Sequence, residues 1–334
     1  MRAHATAMVM HPVVRDELLR NDHVSRLQAN CSLISSKPFQ SFEDLGSAAD
    51  EMVILISSWG CPRIDTKVLD NLPRLRLIAH LAGSVKGFID ESAWRRGIKI
   101  TNAVSANAVP VAEYTLAAIL FANKRVFQLN QAYLDKRENR APWTREAPNV
   151  GNYQKTVGIV GASSVGRLVI EYLQKHDVKT LVYDPYITPL EARRFGAAKA
   201  GLAELLANSD VVSLHAPLLP ETRNLIGARE LALMKDHSTF INTARGRLVD
   251  HVALINELKT GRLFAILDTT EPEIPPSNSP LYSLPNVFLT PHIAGSLGNE
   301  TQRLSDCIVD EIERFTRGMP LHNAVKREQL ARLA

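Results

Sequence analysis

Arg245, Glu273 and His292 follow one another along the chain as a guanidinium, a carboxylate and an imidazole. An arginine's planar fork pairs with a carboxylate through two parallel hydrogen bonds, a geometry lysine cannot match. A histidine beside a carboxylate stays protonated to higher pH, so it can donate a proton near neutrality. Together the three can bind an acid, tune a proton donor and deliver a proton. Upstream, Val157-Gly-Ile-Val-Gly161-Ala-Ser-Ser-Val-Gly166 joins an apolar run to a helical stretch, and Asp184 follows. Backbone NH groups at such a helix start suit a pyrophosphate. Ser163 stands where the dinucleotide fingerprint has its second glycine. Ser163 and Ser164 compensate either as helix caps or by bonding a phosphate oxygen. A carboxylate at Asp184 accepts from ribose hydroxyls and repels a 2′-phosphate, which predicts NAD over NADP.

Each feature has a bland alternative. A lone loop arginine is usually a surface ion pair. Glu271 and Glu273 flank Pro272 and can simply be solvated, a proline–histidine pair is usually a turn, and a glycine turn can merely join strand to helix. The elements that must carry these residues weigh against that reading. Strand candidates are Thr156–Val160, Thr180–Tyr183, Val211–Leu214, Thr239–Asn242, Phe264–Leu267 and Val287–Leu289. Helical stretches Val165–His176, Leu202–Ala207, Ala228–Met234 and His251–Lys259 alternate with the first five. Such alternation implies a parallel sheet covered on both faces, which binds ligands at the carboxyl ends of its strands. Every residue named above falls at or just after a strand end, so one site is expected. Asp268, at the end of Phe264–Leu267, falls near where a nicotinamide ring would sit.

Before this region, Met52–Ile56, Leu75–Ala79 and Ile98–Ile100 read as strands. A stretch from about Val109 to Val126 reads as one helix, with Val111, Leu116, Ala117, Ile119, Leu120 and Phe121 making it apolar nearly all round. It is expected to be buried between two lobes or two subunits. A further helix runs from Gly298 to about Arg317, stopped by Gly318 and Pro320. It lies beyond the last strand, so the tail is expected to return to the first lobe.

The 334 residues suggest about two domains, and 45% hydrophobic content can build full cores. The net charge of +4, without long like-charge runs, argues against a nucleic-acid partner. Cys31, Cys61 and Cys307 are widely spaced and show no metal-binding spacing; they read as reduced thiols of a cytoplasmic protein. Charged residues interrupt Met1–Leu19, so no signal peptide is expected, and no window reads as a membrane span.

At this point the chain resembles the NAD-dependent D-isomer-specific 2-hydroxyacid dehydrogenases, from about Leu75 to Ala324. The likeness is strongest in Val157–Gly166, in Leu214-His-Ala-Pro-Leu-Leu-Pro-Glu-Thr222, in Phe240–Gly246 and from Leu267 through Gly295. It implies two Rossmann-like, doubly wound α/β domains, an NAD-binding domain (105–297) inserted into a discontinuous substrate domain (1–104 and 298–334), and a homodimer. It implies Arg245, Glu273 (rather than Glu271) and His292 as catalytic residues. Its cofactor contacts imply Gly161, Ser163, Ser164, Val165, Gly166, Asp184, His215, Pro217, Thr222, Thr243, Ala244, Asp268, His292 and Gly295. The implied substrate is a small 2-keto or 2-hydroxy acid, and no metal is required.

The substrate loop departs from the family's usual Gly-Val-Gly-Val-Asp-Asn, reading Gly83-Ser-Val-Lys-Gly-Phe88. Gly83 and the NH groups of Ser84 and Val85 can still bind a carboxylate, with Ser58 and Trp59 in the other first-lobe loop and Arg245 opposite. Lys86 either points to solvent or, with Arg63, recognises a second anion such as a phosphate. Two other classes compete. A related NAD-sensing corepressor keeps the same three residues, although the chain shows no long disordered flanks. A methyltransferase also starts with a glycine turn but needs none of the three. Formate dehydrogenase shares the fold with a glutamine–histidine site, where this chain has Glu273.

Overall fold

The computed structural model describes residues 4–137 and 150–330. The expected domain segments also include residues 1–3, 138–149 and 331–334, which lie outside the described residues. Two compact units are present: Met1–Asn107 with Ser296–Ala334, and Ala108–Gly295.

The first unit holds β1 (Ala5–Val9), β2 (Ser32–Leu33), β3 (Ile54–Ser57), β4 (Leu77–His80) and β5 (Lys99–Asn102). They form one sheet in the order β2-β1-β3-β4-β5, with every pairing parallel. Its inner strands are buried on both faces, which is why they read as short apolar runs rather than as alternation. The helix Thr301–Thr316 returns to this unit. Its buried stripe of Leu304, Ser305, Ile308, Val309 and Ile312 packs with Met8, Leu27, Ile56 and Ala79, and spacings of three and four residues make such a face. Glu311, 1% exposed, fixes the segment that follows. Its carboxylate accepts from the Thr101 hydroxyl and from the His322 and Asn323 amides. The chain leaves this unit at Asn107 and re-enters at Ser296, where the Ser296 amide donates to Asn107 Oδ1 at 2.9 Å.

The second unit holds β6 (Lys155–Val160), β7 (Val178–Tyr183), β8 (Ala198–Lys199), β9 (Val211–Leu214), β10 (Thr239–Asn242), β11 (Phe264–Leu267) and β12 (Val287–Leu289). All pairings are parallel, in the order β12-β11-β10-β9-β6-β7-β8. The order reverses between β6 and β9, so their following loops diverge to opposite sides and open a crevice at the carboxyl ends. Phe240, Leu254, Leu267 and their neighbours fill one face of this sheet, and Val157, Ile159, Val169 and Ile170 fill the other.

The long helix differs from expectation. It spans Val104–Asn123 and ends before Arg125, whose left-handed backbone separates it from a second helix, Val126–Lys136. Among the residues expected to be covered, Ala117 and Phe121 are exposed in the single chain. This helix is long and apolar enough to cross a membrane. Its Ala112, Ala118, Ile119 and Ala122 nevertheless sit in the protein core, and the Thr115 hydroxyl hydrogen-bonds that of Thr243. Burial against protein accounts for the apolar residues on that side of the helix.

Candidate active site

The glycine turn is shaped by contacts that exclude side chains. Gly161 has φ +101°, a conformation that L side chains rarely adopt, and a Cβ there would lie 2.5 Å from the Ala216 amide nitrogen. One at Gly166 would lie 2.1 Å from the Gly161 carbonyl oxygen. The first turn of the helix Ser164–Leu173 is thus drawn tight against β6 and the loop after β9. Ser163 is its N-cap, accepting from the Gly166 amide at 3.3 Å, with ordinary extended backbone. Of the two compensations open to this serine, the structure contains the cap. Asp184, past the end of β7, accepts from the Ala162 amide through Oδ2 and from the Tyr186 amide through Oδ1, both at 2.8 Å. Its negative charge therefore sits against the turn. The Arg167 Nε donates to the Ala162 carbonyl, a further tie that the sequence did not announce.

His215 lies beneath the turn rather than beside it, 3% exposed, with Nε2 2.8 Å from the Ser213 hydroxyl. Burial pushes its pKa down to about 3. In the first unit, burial likewise lowers His80 to about 4, where it meets the Ser57 hydroxyl. Both imidazoles are neutral when folded and regain the ordinary pKa near 6.5 when unfolded. The unfolded chain therefore binds more protons below about pH 6.5, and stability is lost as pH falls from there toward the folded values. Each histidine should cost about 2 kcal/mol between pH 6.5 and about pH 5. Denaturant titrations at the two pH values check this. His215→Gln, which does not titrate, should lose correspondingly less over that window.

Past His215, the Thr222 hydroxyl donates to the Pro217 carbonyl and accepts from the Leu219 amide, closing the loop. After β10, Asn242 pins the turn that presents Arg245. Its Oδ1 accepts from the Ala244 amide and its Nδ2 donates to the Arg245 carbonyl, both at 3.0 Å. The Arg245 guanidinium donates to the Ala244 carbonyl at 2.7 Å. Arg245 is itself exposed; partial desolvation by its neighbours pulls its pKa down, and the charge of Glu273 pulls it back up.

Asp268, 2% exposed after β11, holds the histidine loop. It accepts from the Thr290 hydroxyl and the Ile293 amide through Oδ1, and from the Ala294 amide through Oδ2. The Asp268 carbonyl accepts from the His292 amide. His292 itself has φ +55°, an uncommon state for a side-chain-bearing residue that this frame enforces. Its Nδ1 hydrogen-bonds Glu273 Oε1, and both side chains remain about half exposed. Glu271 is taken up by Arg247 at 2.9 Å. The structure thus joins Glu273 to His292 and puts Arg245 within the field of Glu273. Asn242 and Tyr114, whose hydroxyl meets that of Thr290, also belong to this frame. An asparagine ending a strand ahead of a turn was the signal available for Asn242. Nothing in the sequence marks Tyr114.

In the first unit, the Ser58 hydroxyl is buried and donates to the Leu81 carbonyl, whereas Trp59 is exposed. Val85 puts its side chain into the core, so only its backbone is available to a ligand. Among the described residues no acceptor takes the Ser84 or Val85 amide. Lys86 and Arg63 line one cavity of about 580 Å³ with Asp90, Glu91, Arg327 and Glu328.

A parallel sheet whose glycine turn opens a helix defines a dinucleotide-binding class, and here an imidazole–carboxylate pair and an arginine stand at later strand ends. The chain belongs to the D-isomer specific 2-hydroxyacid dehydrogenases, whose NAD binding domain profile matches residues 116–294. It is 30% identical over 95% of its length to D-3-phosphoglycerate dehydrogenase of Methanocaldococcus jannaschii, covering 59% of that protein. Glyoxylate reductase of Aeropyrum pernix is 32% identical, with 87% of each chain covered. The crystal structure of the TT0316 protein from Thermus thermophilus superimposes with a TM-score of 0.74 at 30% identity, covering 96% of this chain and 100% of that one. The chain spans about half the length of several phosphoglycerate dehydrogenases that it matches.

Proposed function

We propose that the chain is an NAD-dependent dehydrogenase interconverting a small 2-keto acid and the D-2-hydroxy acid. The observation that carries this reading is the Glu273–His292 hydrogen bond, held at adjacent strand ends with Arg245 close enough to feel the Glu273 charge. NADH, when bound, supplies the hydride. The turn Gly161–Gly166 offers the helix-start amides to its pyrophosphate. Asp184, with lone pairs left beyond its two backbone bonds, accepts from the ribose and disfavours a 2′-phosphate. Arg245 pairs with the substrate carboxylate and polarises the neighbouring carbonyl. Because Glu273 occupies Nδ1, His292 delivers its proton from Nε2, and in the reverse direction the same nitrogen takes it back. In the first unit the Ser84 and Val85 amides, which no acceptor takes among the described residues, suit an anionic group. The relatives support a 2-keto acid substrate, with or without a second anionic group.

A panel of 2-keto acids, with NADH and then NADPH followed by absorbance, tests the reading. Turnover is expected with NADH on at least one small acid, and NADPH should be at least about tenfold poorer, the size of one lost or repelled charge contact. Tight NADH binding without turnover on any acid would instead favour a sensing protein.

A further inference from the structure

The loop that carries Arg245 and the loop that carries Glu273 touch at one place. A Cβ at Gly246 would lie 2.0 Å from the Thr270 carbonyl oxygen, so the two backbones meet there without room for a side chain. From that contact the second loop runs as a tight arc. The Thr270 hydroxyl lies 2.7 Å from the Pro272 carbonyl and 3.0 Å from that of Glu273, which ties the arc's start to its end. Next to the contact stands the half-buried ring of His251, the first residue of the helix His251–Lys259. Its Nε2 is 3.2 Å from the Glu271 amide nitrogen and 3.2 Å from the Gly246 carbonyl oxygen.

We propose that His251 is a positioning residue, which fixes the Glu273 loop against the Arg245 loop by accepting the Glu271 amide hydrogen at Nε2. One ring nitrogen cannot serve both neighbours. With a lone pair it accepts from Glu271; with a proton it turns to the Gly246 carbonyl and leaves the Glu271 amide without its acceptor. Burial favours the neutral ring, against the Gly246 carbonyl and the charges of Glu271 and Asp250. Arg247, paired with Glu271, and Arg223, which also acts on Glu271, complete the charged groups around it. The device is therefore set at neutral pH and released on acidification. Releasing it frees the arc whose far end holds Glu273 on His292.

This role for His251 rests on the dehydrogenase reading only for its kinetic consequence. Amide hydrogen exchange by NMR on the substrate-free protein tests the contact itself. The Glu271 amide should be protected at neutral pH, should lose at least about tenfold protection in His251→Ala, and should keep it in His251→Gln, whose carboxamide oxygen takes the place of Nε2. In turnover, His251→Ala should lower kcat about tenfold with NADH affinity unchanged. His251→Gln should retain kcat and extend it to lower pH than wild type. Unchanged protection and kcat in His251→Ala, or a His251→Gln protein as impaired as His251→Ala, would overturn the assignment. Absence of turnover in the wild type sinks the dehydrogenase reading alone, because the amide measurement then decides the role of His251.

Discussion

Replacing His292 with asparagine is expected to lower kcat by about a thousandfold while NADH affinity stays within about twofold. Asparagine is chosen because His292 has φ +55°, a backbone state that asparagine tolerates and alanine or a branched residue does not. The Asp268 bonds to the loop run to backbone amides and to Thr290, so they survive the substitution. On the proposed reading, what disappears is the proton donor, an imidazole whose Nδ1 is held by Glu273. General acid catalysis of this kind is worth about a hundredfold to ten-thousandfold. Steady-state kinetics beside a fluorescence titration with NADH separates the two quantities. Turnover within twofold of wild type would remove His292 from the chemistry, and a parallel loss of NADH affinity would mean that it acts by holding the cofactor rather than by moving a proton.

The alternation of β6 to β12 was legible because the central strands are buried on both faces and the helix after the glycine turn presents one apolar stripe. β8 and the helix Pro189–Phe195 were not, since two exposed strand residues carry no periodicity and the helix is only seven residues long. The break at Arg125 is illegible for a different reason: a left-handed arginine leaves no trace in a hydrophobic pattern. At the site, strand ends pointed to Arg245, Glu273 and His292, and Ser163 announced itself as a cap. The frame behind them was illegible. Tyr114 reaches Thr290 across 176 residues and Glu271 reaches His251 across a strand and its loops, and only the folded sheet brings such pairs together. His215 shows the converse. The resemblance implies a cofactor contact there, and the structure turns the side chain inward to Ser213.

Arg245→Lys is expected to reduce kcat/KM for the keto acid by about a hundredfold, mostly through KM, with NADH affinity unchanged. The charge is conserved, so a purely electrostatic role predicts little effect, whereas a two-pronged grip on a carboxylate predicts a large one. The setting sharpens the difference. Asn242 fixes the Arg245 backbone, so the head group cannot approach by a shift of the turn. Partial desolvation already pulls the arginine pKa below its usual value, yet a guanidinium has reserve to stay charged. An ammonium begins lower, near 10.4, and is more strongly hydrated, so the same surroundings weaken it further. Two measurements close the argument. Keto-acid saturation curves for both proteins give the split between KM and kcat. Added guanidinium salt should restore part of the activity of Arg245→Ala but none of that of the His292→Asn protein. If Arg245→Lys matches wild type, the carboxylate is held by other groups and the role proposed for Arg245 falls.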